Sequence, residues 1–343
     1  MKKFWQAVFI LLVLGGLTAC TRATPSIPRS VLIIEEWPVR EISVDRLAFQ
    51  ARAEISGMAW CGEWLILLPQ YPMMYGDGDA PGYVFSLPQS ELDAHLSTEG
   101  DDSLVPELIP FDTKGIERLI SGFEGFESLA FFQDQVFLTI ESRQGDEMVG
   151  YLVSGSVNGD CEELILAQEE PIALRPQANL GNMSDETLVI FEDQLYTIYE
   201  ANGVNVNPDP VAHRFDLSHN PAGTLPFPNI EYRITDATEA NQAGEFWAIN
   251  YFFPGDSKLK PGFDRIAADH GLGESHQAED QVERLVAFKI QEDGIVLVDQ
   301  PPIYLSLSGA ISRNWEGIVR YGEGFLLVTD EYPTTILALV EKP

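Results

Sequence analysis

The chain has 343 residues, of which 53 are Asp or Glu and 21 are Lys or Arg, for a formal net charge of −32 and a pI near 4.3. That excess of carboxylates argues against nucleic acid or an anionic lipid surface as the main partner, since both are bound through surplus Lys and Arg. An apolar content of 45%, with 28 Gly and 22 Pro, suits one large all-β domain with ample core.

Lys2-Lys3, the apolar run Phe4 to Leu14 and the small residues before Cys20 form a secretory signal over 1–20 that is too short for a stable spanning helix. Gly15-Gly-Leu-Thr-Ala-Cys20 resembles the bacterial lipobox. The resemblance implies that Cys20 carries the lipid and that the protein sits in a bacterial cell envelope, anchored to a membrane and facing outside the cytoplasm. Thr21 after the Cys implies the outer membrane in a Gram-negative cell. Residues 21–30, with two Pro and no apolar period, read as a linker. The domain then occupies 31–343. Cys61 and Cys161 are the cysteines left in it; in an oxidising compartment they either bridge or stay buried as separate thiols.

From Ser56 onward one skeleton repeats. A polar oxygen is followed two residues later by an apolar side chain, then a turn, a second apolar run, and another polar oxygen fourteen residues from the first. The copies are Ser56 to Gln70, Glu127 to Glu141, Glu186 to Glu200, Asp236 to Asn250 and Glu316 to Asp330, with Met58, Leu129, Leu188, Thr238 and Ile318 at the second position. Two strand-length apolar runs joined by turns such as Gln133-Asp-Gln135 or Gly322-Glu-Gly324 predict a β-hairpin. Hairpins recurring 50 to 80 residues apart predict a β-propeller.

Third strands follow at Tyr83 to Leu87, Gly150 to Val153, Ala212 to Phe215, Arg284 to Phe288 and Thr335 to Leu339, and fourth strands at Leu108-Ile109, Leu164 to Leu166, Ile230 to Ile234 and Ile295 to Val298. Val31 to Ile34 and Ile42 to Phe49 precede the first hairpin, and such an N-terminal strand closes a propeller by completing its last blade. The expectation is five blades, with six as the alternative. The stretch Phe252 to Glu283 holds no sixth hairpin and reads as a loop or short helix at one mouth of the channel.

Because first strands line a propeller's channel, Ser56, Glu127, Glu186, Asp236 and Glu316 should form a ring. Four carboxylates facing one another repel by on the order of several kcal/mol unless a cation or shared protons neutralise them. Hard oxygen donors suit Ca²⁺ and, less well, Mg²⁺. The competing reading has each carboxylate held by backbone N–H groups or by Arg and Trp. Gln70, Glu141, Glu200, Asn250 and Asp330 make a second ring near the same mouth, with Arg143 and Arg313 close by.

Phe126-Glu-Ser-Leu-Ala130 with Thr139-Ile-Glu-Ser-Arg143, and Trp315-Glu-Gly-Ile-Val319 with Val328-Thr-Asp-Glu331, resemble the hairpins of the phytase-like (esterase-like) β-propeller proteins. That family usually has six blades. Five blades with a Ser/Glu ring resemble instead the calcium-activated apyrase propellers. The resemblance implies a metal-dependent phosphoester hydrolase in which the ion acts as Lewis acid, Arg143 or Arg313 clamps phosphate, and Glu141 or Glu200 orients water. A non-catalytic propeller binding a small anionic or other ligand, and a structural lipoprotein whose ion only fixes the ring, remain open beside it.

Overall fold

The computed structural model describes residues 32–45, 54–76, 81–98, 102–309, 311–330 and 334–343. The signal over 1–20, Cys20, the linker over 21–30 and the end of the strand expected over Ile42 to Phe49 lie outside the described residues.

Every repeat forms an antiparallel hairpin: Ile55–Cys61 with Trp64–Pro69, Phe123–Phe132 with Gln135–Gln144, Asp185–Phe191 with Gln194–Tyr199, Arg233–Ala237 with Glu245–Phe252, and Trp315–Tyr321 with Gly324–Thr329. Third strands add at Gly82–Pro88, Glu147–Asn158, Val211–Asp216, Val282–Gln291 and Leu337–Val340. Beyond them lie Glu107–Asp112, Glu163–Leu166, Pro221–Pro226, the pair Gly294–Leu297 and Ile303–Leu305, and, on Leu337–Val340, the N-terminal strand Val39–Ile42. The first two units merge into one sheet because Glu163–Leu166 runs parallel to Glu107–Asp112.

The first strands of the hairpins pack side by side, and Trp315–Tyr321 returns to Ile55–Cys61 to close the ring. The molecule is therefore all-β with its sheets radiating from an axis, the architecture of a β-propeller. Gly317 permits that closure. A side chain there would meet Met58 Cβ at 2.8 Å and Val328 Cγ1 at 2.7 Å. The core lies between neighbouring sheets; between the first two it includes Ile66, Val84, Phe111, Phe126, Leu138 and Ile140. Each such buried side chain contributes about 1.5–3 kcal/mol.

One expected strand is displaced. Ile230 to Ile234 is not a fourth strand: that place is taken by Pro221–Pro226, and Arg233–Ala237 is the next inner strand. The edge position explains it, since an outermost strand tolerates Pro at both ends, where no ladder partner needs its N–H. The segment after Phe252 is ordered around the helix Arg265–His270, with Asp264 as N-cap accepting from Ala267 N. It is tied to the N-terminal segment by the parallel pairing of Ile33–Ile34 with Leu272–Gly273. Glu36 adds bonds from Ser275 N at 3.0 Å and His276 Nδ1 at 2.8 Å.

Cys61 and Cys161 form a disulfide, with Cα atoms 6.2 Å apart. It joins the turn end of the first hairpin to the loop between the third and fourth strands of the second unit, which resolves the alternative left open by sequence.

Candidate functional site: an acidic cavity on the axis

At the position shared by the repeats, each hairpin carries a β-bulge. Ile55 and Gly57 face Pro69 and Leu68, so Ser56 is the extra residue. Glu127, Glu186 and Glu316 are extra in the same way, between Phe126 and Ser128, Asp185 and Thr187, and Trp315 and Gly317. A bulge unpairs one residue and re-aims its side chain. Ser56, Glu127, Glu186 and Glu316 all line one cavity of about 290 Å³ on the axis.

The fourth copy is one residue out of step with the sequence alignment. Thr235, not Asp236, occupies the ring position: Thr235 Oγ1 donates to Trp315 O at 2.6 Å, as Ser56 Oγ donates to Phe126 O at 2.6 Å. Each hydroxyl thus binds the carbonyl just before the next strand's Glu. Asp236 does not line the cavity; it accepts from Ile318 N at 2.8 Å, the hydrogen-bonded reading. The slip arises because a bulge and a longer turn separate Ile234 from its hairpin partner.

Strand alternation places the residue two beyond each ring position on the same face. Those residues, Met58, Leu129, Leu188, Ala237 and Ile318, line a second, apolar cavity of about 420 Å³ at the other end of the axis. An apolar layer therefore lies beneath the carboxylates.

The acidic cavity is also lined by Glu54, Glu124, Glu141 and Asp330, against one guanidinium, that of Arg233. Gln70 Nε2 donates to Glu127 at 2.9 Å and Asn314 Nδ2 to Asp330 at 2.8 Å. The Gln70 contact depends on Gly125, at φ +152, where any Cβ would lie 2.1 Å from Gln70 Cγ. Glu200 is fully buried beside the cavity and accepts from Arg233 Nη1 at 2.5 Å, while Arg233 Nε holds Asp256 at 2.8 Å. Beside Glu141 stands the Ser184 hydroxyl and beside Glu200 the Glu186 carboxyl, each close enough to steady the acid it faces.

Burial and mutual repulsion act together on these acids. Burial raises the pKa of Glu127 well above the ordinary carboxylate value, with Glu141 adding to it. Burial and then Glu200 push Glu141 up to about 8. Glu186 and Glu316 are raised by burial and next by Glu200 and Asp330, respectively. Burial also raises Glu200, against the pull of Arg233.

The sign follows. Groups with raised folded pKa keep protons that the unfolded chain gives up, so stability falls as pH climbs from 4.5 toward about 8, the folded value of Glu141. In chelator the melting temperature is expected to be higher at pH 5 than at pH 8. A flat or rising profile across that interval would overturn this.

Arg143 and Arg313 do not enter the cavity. Arg143 is spent on Glu124, at 2.7 and 2.8 Å. Arg313 is buried against Glu283, with Nε at 2.8 Å, and over the Trp315 ring. Glu283 also accepts from Trp315 Nε1 at 2.7 Å, so this cluster fastens two units. Asn250 is likewise engaged, by Arg284 Nε at 2.7 Å. Arg233 escaped the sequence reading, although alternation from the ring position Thr235 puts it on the channel face. Among the described residues no three His, Cys, Asp or Glu groups stand as a ready-closed metal shell; the carboxylates surround a cavity instead.

No family model and no curated protein matches this sequence. Solved structures do resemble it. An exo-β-1,3-galactanase from Phanerochaete chrysosporium matches at 9% identity and TM-score 0.46, over 90% of this chain and 65% of that one. A putative glycoside hydrolase from Parabacteroides distasonis matches at 10% and 0.44, over 91% and 95%. A β-fructofuranosidase from Bombyx mori matches at 11% and 0.47, over 87% and 61%. The chain spans less than two thirds of the galactanase and of the fructofuranosidase, and similarity this low carries no residue or activity across.

Proposed function

We propose that this chain is a five-bladed propeller lipoprotein of the bacterial cell envelope whose axial cavity binds one divalent cation, Ca²⁺ in preference to Mg²⁺. The observation that carries the cation is the crowding of oxygens from seven carboxylates, Glu54, Glu124, Glu127, Glu141, Glu186, Glu316 and Asp330, onto one cavity that among the described residues is faced by the guanidinium of Arg233. A hard cation supplies the positive charge those oxygens lack, and the room for several oxygen donors suits Ca²⁺ better than compact, octahedral Mg²⁺. Glu127, Glu141, Glu186 and Glu316 would hold it, with the amide oxygens of Gln70 and Asn182 in reach of the same cavity.

Five bladed units are supported by the five bulged hairpins and by Val39–Ile42 pairing with Leu337–Val340, which joins the two ends of the described domain. The envelope location is supported by the Cys61–Cys161 bridge, which fits an oxidising compartment. Anchoring through Cys20 rests on the lipobox resemblance.

The binding role is favoured over phosphoester hydrolysis. With Arg143 and Arg313 committed to Glu124 and Glu283, a phosphate would meet, among the described residues lining the cavity, the guanidinium of Arg233 amid many carboxylates.

An ion bound by the folded state alone adds about 2.7 kcal/mol at a hundredfold excess over Kd. Chelation is therefore expected to lower the melting temperature, and Glu127→Gln to abolish that response while raising stability in chelator. If calorimetry detects no Ca²⁺ binding and chelator leaves the melt unchanged, the ring is a proton-sharing structural device. Turnover of a phosphoester panel only with Ca²⁺ would reinstate the hydrolase.

A further inference from the structure

The apolar layer beneath the carboxylates is also the floor of the second cavity, of about 420 Å³, which opens between the hairpin turns at the far end of the axis. Its room comes from the fourth hairpin, which places Ala237 where the other four place Met58, Leu129, Leu188 and Ile318. Trp60, Phe131, Phe132 and Phe191 stand along its walls. Small-molecule sites run from about 300 to 1,000 Å³ and combine apolar and aromatic walls with a few polar groups. This cup has that make-up.

The polar groups that decide what it can hold are Arg320 and Glu239, both of which line it. Burial opposes the charge of each; Glu245 and Glu239 then act on Arg320, and Arg320 acts on Glu239. Glu245 is taken by Lys289 Nζ at 3.1 Å. The Arg320 and Glu239 side chains feel one another yet make no ion pair or hydrogen bond, with each other or with any other described residue. Trp60 Nε1 donates to Arg320 O at 3.0 Å, which fixes the indole beside this gap.

We infer that the cup binds a small aromatic molecule whose neutral head accepts from Arg320 and donates to Glu239, as a carboxamide does. Such a head fills the gap between guanidinium and carboxylate, while the rings replace water against the apolar wall. An anion would satisfy Arg320 but face Glu239 and also Glu192, a second carboxylate of the lining. A cation would leave Arg320 unmet. The apolar floor separates the cup from the carboxylate cavity, so the inference rests on neither the cation nor the lipid anchor.

The test is equilibrium dialysis of the purified protein against 1-naphthamide, naphthalene and 1-naphthoate, with and without chelator. One saturable site for the amide is expected, indifferent to chelator. It should be about tenfold or more tighter than for naphthalene, which leaves both charged groups unmet, and tighter than for naphthoate. Arg320→Met should erase the advantage of the amide over naphthalene without lowering the melting temperature, because the guanidinium has no described partner to lose. Ala237→Leu should weaken both probes by filling the floor; if it fails to fold, Arg320→Met still reads the head group. No saturable binding at millimolar amide overturns the inference, as does naphthalene or naphthoate binding as tightly as the amide. So does an amide advantage that survives Arg320→Met, or a folded Ala237→Leu that binds like wild type. A dimer that the amide dissociates in sedimentation velocity would make the cup a contact between two copies and overturn it equally.

Discussion

Arg233→Met is expected to destabilise the protein by about 3–5 kcal/mol, the usual cost of removing one member of a buried ion pair. The guanidinium is held between Glu200 at 2.5 Å and Asp256 at 2.8 Å, and Glu200 is wholly buried. Burial opposes the charge on Arg233, but these two carboxylates outweigh it and keep it charged. Without Arg233, Glu200 escapes part of the cost by binding a proton, so its folded pKa rises beyond the already raised value. A raised pKa means stability that is lost as pH rises. The difference between variant and wild type should therefore be larger near pH 8 than near pH 5, as read by urea melts at both. Equal differences would mean that Arg233 stabilises by packing alone. In the variant Ca²⁺ should bind more tightly, because a competing positive charge has left the cavity wall.

Replacing Cys61 and Cys161 by Ala should cost about 2–5 kcal/mol, the range for losing a native disulfide. The bridge closes a loop of 100 residues, for which the chain-entropy account gives about 4.7 kcal/mol. The loop holds the last three strands of the first unit and the first three of the second, so the loss should appear as early separation of that merged sheet, with hydrogen exchange rising in Glu107–Asp112 and Glu163–Leu166. Melts with and without reductant read the magnitude. Identical melts would show that the packing of these two strands, rather than the bridge, holds the units together.

Much of the architecture was legible in the sequence because hairpin formation is local. Alternation between polar and apolar residues and the turns at Gln133 and Gly322 determine strands without reference to distant partners, and repetition of one spacing determines that the hairpins are alike. The same alignment brought Ser56, Glu127, Glu186 and Glu316 to one level. It failed at the fourth copy because the turn there is longer, so that Ile234 pairs with Asn250 and a fixed spacing of fourteen no longer joins equivalent positions; only pairing with the neighbouring strands put Thr235 there and turned Asp236 onto Ile318 N. The fates of Arg143, Arg313 and Arg233 were also beyond it. Each arginine's role depends on which carboxylate stands within 3 Å across 19, 30 and 33 residues of chain, respectively. The disulfide was undecided for a like reason, since two cysteines a hundred residues apart can meet only through the packing of two sheets. Sequence determined the repeated elements and the acidity of their shared position. Tertiary structure decided which side chains meet, because charge pairing and burial depend on distances that local patterns do not set.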